Sequence, residues 1–107
     1  MQPTGVQNVK VSSDAAQMVD GRTRLKGYIL SGGSTSAADG NVKFYNGDSA
    51  LDPLGLEINM GSYVSYHGNT LVNIPGNGIL FDSGIYLVKT ASVVLCVSII
   101  FQGGAAD

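Results

Sequence analysis

Residues able to do chemistry are few in this chain, and they are scattered. It has one histidine, His67, and one cysteine, Cys96. A zinc site built on both would need carboxylates for its remaining ligands. His67 lies in SYHGN, the setting of a strand end or turn, and reads as a surface side chain. Cys96 lies in the apolar run SVVLCVSIIF, where a thiol is normally inert, so a nucleophile–base dyad with His67 is not expected. The 8 acidic residues are Asp14, Asp20, Asp39, Asp48, Asp52, Glu57, Asp82 and Asp107. Most adjoin Gly, Ser or Pro, the usual surroundings of Asx turns. Asp48 and Asp52 in NGDSALD lack the spacing of a calcium-binding loop. No catalytic residue, cofactor-binding residue or metal ligand is assigned, and no cofactor is expected.

The glycines of NIPGNGILFDSGIYL (73–87) raise a different chemistry, a phosphate-holding loop. A P-loop needs GxxxxGK[ST], which is missing here. A dinucleotide fingerprint needs a helix after its glycines. ILF follows Gly78 and IYLV follows Gly84, and both runs favour strand. Pro75-Gly76, Asn77-Gly78 and Asp82-Ser83-Gly84 are turn sequences. The stretch therefore reads as turn, strand, turn, strand.

One charge pattern stands out. Arg22, Arg24 and Lys26 supply half of the 6 basic residues. A spacing of two puts them on one face of a strand, with Tyr28. Such a stripe serves as a solvated face or a charged edge strand. It can also meet an acidic partner surface, so Arg22, Arg24, Lys26 and Tyr28 are partner-contact candidates, together with Val9 and Val11 near the N-terminus. A net charge of -2 and the lack of an aromatic ladder beside the stripe argue against nucleic acid. Anionic membranes are not expected as partners either. Tyr28, Tyr45, Tyr63, Tyr66 and Tyr86 suit interfaces or cap a core.

The elements that must carry these residues are strands. A chain of 107 residues, 44% hydrophobic and 13% charged, makes one small domain with one core. A single cysteine excludes an internal disulfide. No secretory signal is recognised, and Ala91 to Phe101 is too short for a membrane helix. Val9 and Val11 alternate with Lys10. In RTRLKGYIL, Thr23, Leu25, Gly27 and Ile29 face one way. Val42 and Phe44 alternate with Lys43 and Tyr45. Leu54, Leu56, Ile58 and Met60 form an inward set. SVVLCVSIIF is apolar on both faces, as in a central strand. SSDAAQMVDG (12–21) reads as a turn or short helix. The expected fold is all-β: a single, jelly-roll-like β-sandwich of about eight short antiparallel strands, with a small β-barrel as the alternative. Residues 1–20 are expected to be an N-terminal arm with a first short strand, 21–102 the sandwich, and 103–107 a flexible tail.

Taken in order, GRTRLKGYILSGG, GNVKFYNGDSA, LGLEINM, IPGNGILFDSGIYL and VVLCVSIIFQGG resemble the small β-rich virion proteins of tailed bacteriophages. The resemblance covers residues 21–104. It implies a non-enzymatic capsid decoration or cement protein on the virion surface, made in the host bacterial cytoplasm. Its implied partners are the major capsid protein and copies of itself, with a trimer favoured. The alternative is a tail or fibre component that binds a host glycan or connects other parts. The resemblance brings no catalytic motif.

Overall fold

The computed structural model describes residues 6–32, 39–62, 68–89 and 94–106. His67, Tyr63, Tyr66 and Asp107 lie outside them. Ten strands form among the described residues, without a helix: β1 (Val6–Val11), β2 (Ala15–Asp20), β3 (Thr23–Gly32), β4 (Asp39–Asn46), β5 (Leu54–Ser62), β6 (Gly68–Asn73), β7 (Ile79–Phe81), β8 (Gly84–Lys89), β9 (Val94–Gln102) and β10 (Ala105–Ala106). The first sheet has the order β1-β9-β3-β6, with β7 also on β3; the second has the order β10-β2-β8-β4-β5. All ladders are antiparallel.

The connectivity is that of a jelly roll. β4 pairs β5, β3 pairs β6 and β7, β2 pairs β8, and β1 pairs β9, so the pairs nest around the β4–β5 turn. This nested ribbon is rolled so that β9 also meets β3 and β8 also meets β4. Two sheets result. Among the described residues no ladder joins them, so the barrel alternative does not apply. β6 and β7 share one position along β3: Asn73 faces Gly27, the Ile74 amide donates to the Lys26 carbonyl at 2.9 Å, and Ile79 faces Leu25. The Pro75–Gly78 turn interrupts that position. Eight strand positions, one of them split, and the short β10 account for the ten strands.

The core lies between the sheets. Leu25, Leu30, Phe81, Val97, Ile99 and Phe101 from the first sheet meet Met18, Val19, Val42, Phe44, Ile85 and Leu87 from the second, all fully buried or nearly so. Alternation in β4, β8 and β9 produces most of this set, because a strand sends every second side chain to one face. Each fully buried side chain of this size contributes about 1.5–3 kcal/mol.

Three expectations are corrected here. Residues 15–20 form a strand rather than a turn or helix. β2 pairs β8 with a register shift between Gln17 and Val19, which buries Met18 and Val19 in succession and hides the alternation. β1 and β2 both pair within the sheets, so residues 6–11 and 15–20 are strands of the sandwich. The C-terminal residues are also held: Ala105 faces Asp20 and Ala106 faces Val19. Gly103 (φ 84°) and Gly104 (φ 68°) turn the chain there, and a Cβ on Gly104 would lie 2.6 Å from Val19 Cγ1.

The third correction concerns facing. Opposite β9, the register of β3 shifts between Leu25 and Gly27. The inward set passes from Thr23 and Leu25 to Tyr28 and Leu30, leaving Ile29 outward. In β5 a shift between the partners of Phe44 and Tyr45 leaves Leu54 48% exposed, while Leu56 and Ile58 pack on the core. A Cβ on Gly55 would strike the Phe81 ring, so glycine lets that ring reach β5.

Candidate partner-contact surface

The outer face of the first sheet ends in an open groove of about 510 Å³, lined by Arg22, Thr23, Arg24, Lys26, Asn77, Leu80, Gln102 and Gly103. Its floor is a row across three strands: Gln102 on β9 faces Arg24 on β3, and Arg24 faces Leu80 on β7. Arg22 precedes β3 and is exposed. Lys26 follows at the register shift. All three cations line this one groove, although Arg22 lies before the strand on whose face the sequence placed it.

The Pro75–Gly78 turn walls the groove on one side. The Gly78 amide donates to the Pro75 carbonyl at 3.4 Å, and Lys26 Nζ reaches the Gly76 carbonyl at 3.5 Å. Gly76 (φ 69°) and Gly78 (φ 76°) adopt the left-handed conformation. A Cβ on Gly78 would collide with the Leu25 carbonyl, whereas one on Gly76 would meet nothing within 4 Å. At the far side, Thr23 Oγ1 donates to the Gln102 carbonyl at 3.1 Å, tying the start of β3 to the end of β9.

No carboxylate lines the groove, and no described carboxylate pairs with Arg22, Arg24 or Lys26. Like charges held together attract anions, with a reach set by the Debye length of about 8 Å at physiological salt. Beyond the groove the same face turns apolar. Ile29 faces Leu71 across the β3–β6 ladder, and Leu71 is 59% exposed. Half-buried Ile100 lies nearby, its Cδ1 3.6 Å from where a Gly27 Cβ would be.

The other contact candidates are placed elsewhere. Tyr28 faces the core, its ring 6.4 Å from that of Phe44, because the register shift takes it off the cationic face. Val9 and Val11 pack against the core opposite Ile99 and Val97. Periodicity missed Asn77, Leu80 and Gln102, which come from remote segments and reach the groove only through strand pairing.

Elsewhere the polar groups hold turns. Asp52 Oδ2 accepts from the amides of Asp48 (2.9 Å) and Ser49 (3.1 Å), which is turn chemistry. Asn46 Oδ1 accepts from the Ser83 amide at 2.9 Å, joining the β4–β5 and β7–β8 turns. Lys89 is buried and its Nζ meets Asp14 Oδ1 at 3.0 Å. The Lys89 amide also donates to the Asp14 carbonyl at 2.8 Å, so one residue latches β8 to the β1–β2 turn. Cys96 is half-buried on β9. Among the described residues no group of three or more His, Cys, Asp or Glu could hold a metal.

The outer face of the second sheet differs. Tyr45 and Tyr86 face each other directly, and Lys43 faces both Glu57 and Val88. A shallow depression of about 250 Å³ is lined by Asn41, Lys43, Tyr45, Ala50, Val88 and Lys89. Comparison with known protein families found no matching family, and comparison with characterised proteins found no matching sequence.

Proposed function

We propose that the chain is a non-enzymatic virion structural protein, a capsid decoration or cement protein that binds the assembled head of a tailed bacteriophage. The observation that carries this reading is the outer face of the first sheet, where a cationic groove runs into the aliphatic residues Ile29, Leu71 and Ile100. Interfaces combine an apolar centre with a polar rim in this way. The fold adds only a weak prior, since jelly rolls serve capsids, lectins and enzymes alike.

In this role the protein coats the outer capsid surface as a trimer, with the major capsid protein as its partner. A ligand that binds only the assembled shell stabilises it by mass action, and many copies add avidity. Quantitative mass spectrometry of purified particles of the encoding virus tests the role. Hundreds of copies per particle are expected from one decorator at each local axis of a shell. Absence from the particle overturns the virion role.

A second reading, a tail or fibre module that binds a host glycan, is favoured by the Tyr45–Tyr86 pair beside the depression on the second sheet. It requires only a few to a few dozen copies per particle and binding of the isolated protein to sugar.

A further inference from the structure

We infer that the groove of Arg22, Arg24 and Lys26 binds an extended, acidic segment of a partner protein, its carboxylates on the cations and an apolar side chain on Leu80. Only the partner's identity rests on the decoration role; the binding chemistry stands on the groove.

The lining selects this ligand class. Three cations line it with no carboxylate among them, so a negatively charged occupant is the electrostatically complementary one. Arginine's planar guanidinium suits carboxylate, phosphate and sulfate. No aromatic side chain lines the groove. Bases of a single-stranded nucleic acid thus lack an aromatic stacking platform, and so do the rings of an acidic sugar. Leu80, 37% exposed in the row beside Arg24, offers instead a contact for an aliphatic side chain. The Asn77 amide, on the turn that walls the groove, can bond a peptide backbone. The open form suits an extended chain better than a compact ion. Placement on the sheet's outer surface lets the occupant continue onto Ile29 and Leu71, which a longer peptide would cover.

The test is fluorescence anisotropy of the whole protein with a labelled peptide, Glu-Leu-Glu-Gly-Glu-Leu-Glu-Gly. The same peptide with Gln for Glu is the control. The expected result is saturable binding of the acidic peptide, weakened by salt, with none by the control. Arg24→Glu is expected to weaken binding about tenfold or more. Circular dichroism should show an unchanged fold, since this side chain lies outside the core. Equal binding of the Gln peptide overturns the inference. So does unaltered binding by an Arg22→Glu/Arg24→Glu variant, or preference for a sulfated oligosaccharide over the peptide. The two failures are separable. Peptide binding by a protein absent from particles overturns the decoration role alone. High copy number with no peptide binding overturns this inference alone.

Discussion

The two sheets are alike where they face each other and unlike everywhere else. Each sends six fully or almost fully buried side chains into the shared core. On the outside, the first sheet carries a cationic groove leading to aliphatic residues, and the second carries a tyrosine pair and the oppositely charged Lys43 and Glu57. Their edges differ too. β1 borders the first sheet with six residue pairs, while β10 covers β2 with two. Core packing constrains both inner faces equally, so it cannot be the source of this asymmetry. The outer faces are where the chain had freedom, and the first sheet used it to gather half of its basic residues.

The largest difference between the two sheets is expected at their edges. Deleting residues 1–12 removes β1, uncovers β9 and takes Val9 and Val11 from the core. It is expected to cost on the order of 4 kcal/mol, most of the stability of a small domain, and to cause aggregation through the bared strand. Deleting residues 105–107 removes only two pairs and should cost about 1 kcal/mol or less. Thermal unfolding with light scattering separates the two. Equal effects would mean that β1 contributes no more than β10.

A smaller effect is expected at the groove wall. Gly78→Ala should cost about 2–3 kcal/mol, because the new methyl meets the Leu25 carbonyl as well as an unfavourable φ. Gly76→Ala has the φ penalty alone and should cost about 1 kcal/mol. Urea titration of both variants gives the difference. Equal losses would show that close approach to β3 is not what fixes this turn.

The smallest effects fall on the outer faces themselves. Leu71→Ser on the first sheet and Tyr86→Ser on the second should each change stability by about 0.5 kcal/mol or less, measured by thermal unfolding. A large loss for either would show that its face belongs to the folding energetics of the monomer.

Much of the fold was legible because strand alternation is a local signal. Val42 and Phe44, the apolar run around Val97 and Ile99, and the turn-strand-turn-strand reading of 73–87 all follow from single stretches. Within the strands, the misread places share one cause, a residue out of period. Met18 beside Val19 obscured β2, the shift after Leu25 reversed Tyr28 and Ile29, and Gly55 turned Leu54 outward. The tail was misread because two alanines carry no strand signal until β2 is beside them. Spacing of two suggests that Arg22, Arg24 and Lys26 lie close together, but the groove they line also needs Leu80 and Gln102. Their approach to Arg24 depends on strand order, which no local pattern encodes.

β9 lies between β1 and β3, and it is far from β1 in the sequence. During synthesis, β1 waits for its neighbour until residues 94–102 leave the ribosome, long after the β4–β5 hairpin can close. Val6 finally meets Gln102 across almost the full length of the chain. Loop-closure entropy makes such distant pairings late events and slows the folding of sandwiches to milliseconds or longer, on the order of seconds at the slow end. Assembly is therefore expected to proceed from the β4–β5 hairpin outward, and the groove, which needs β3, β7 and the end of β9 side by side, forms late in it.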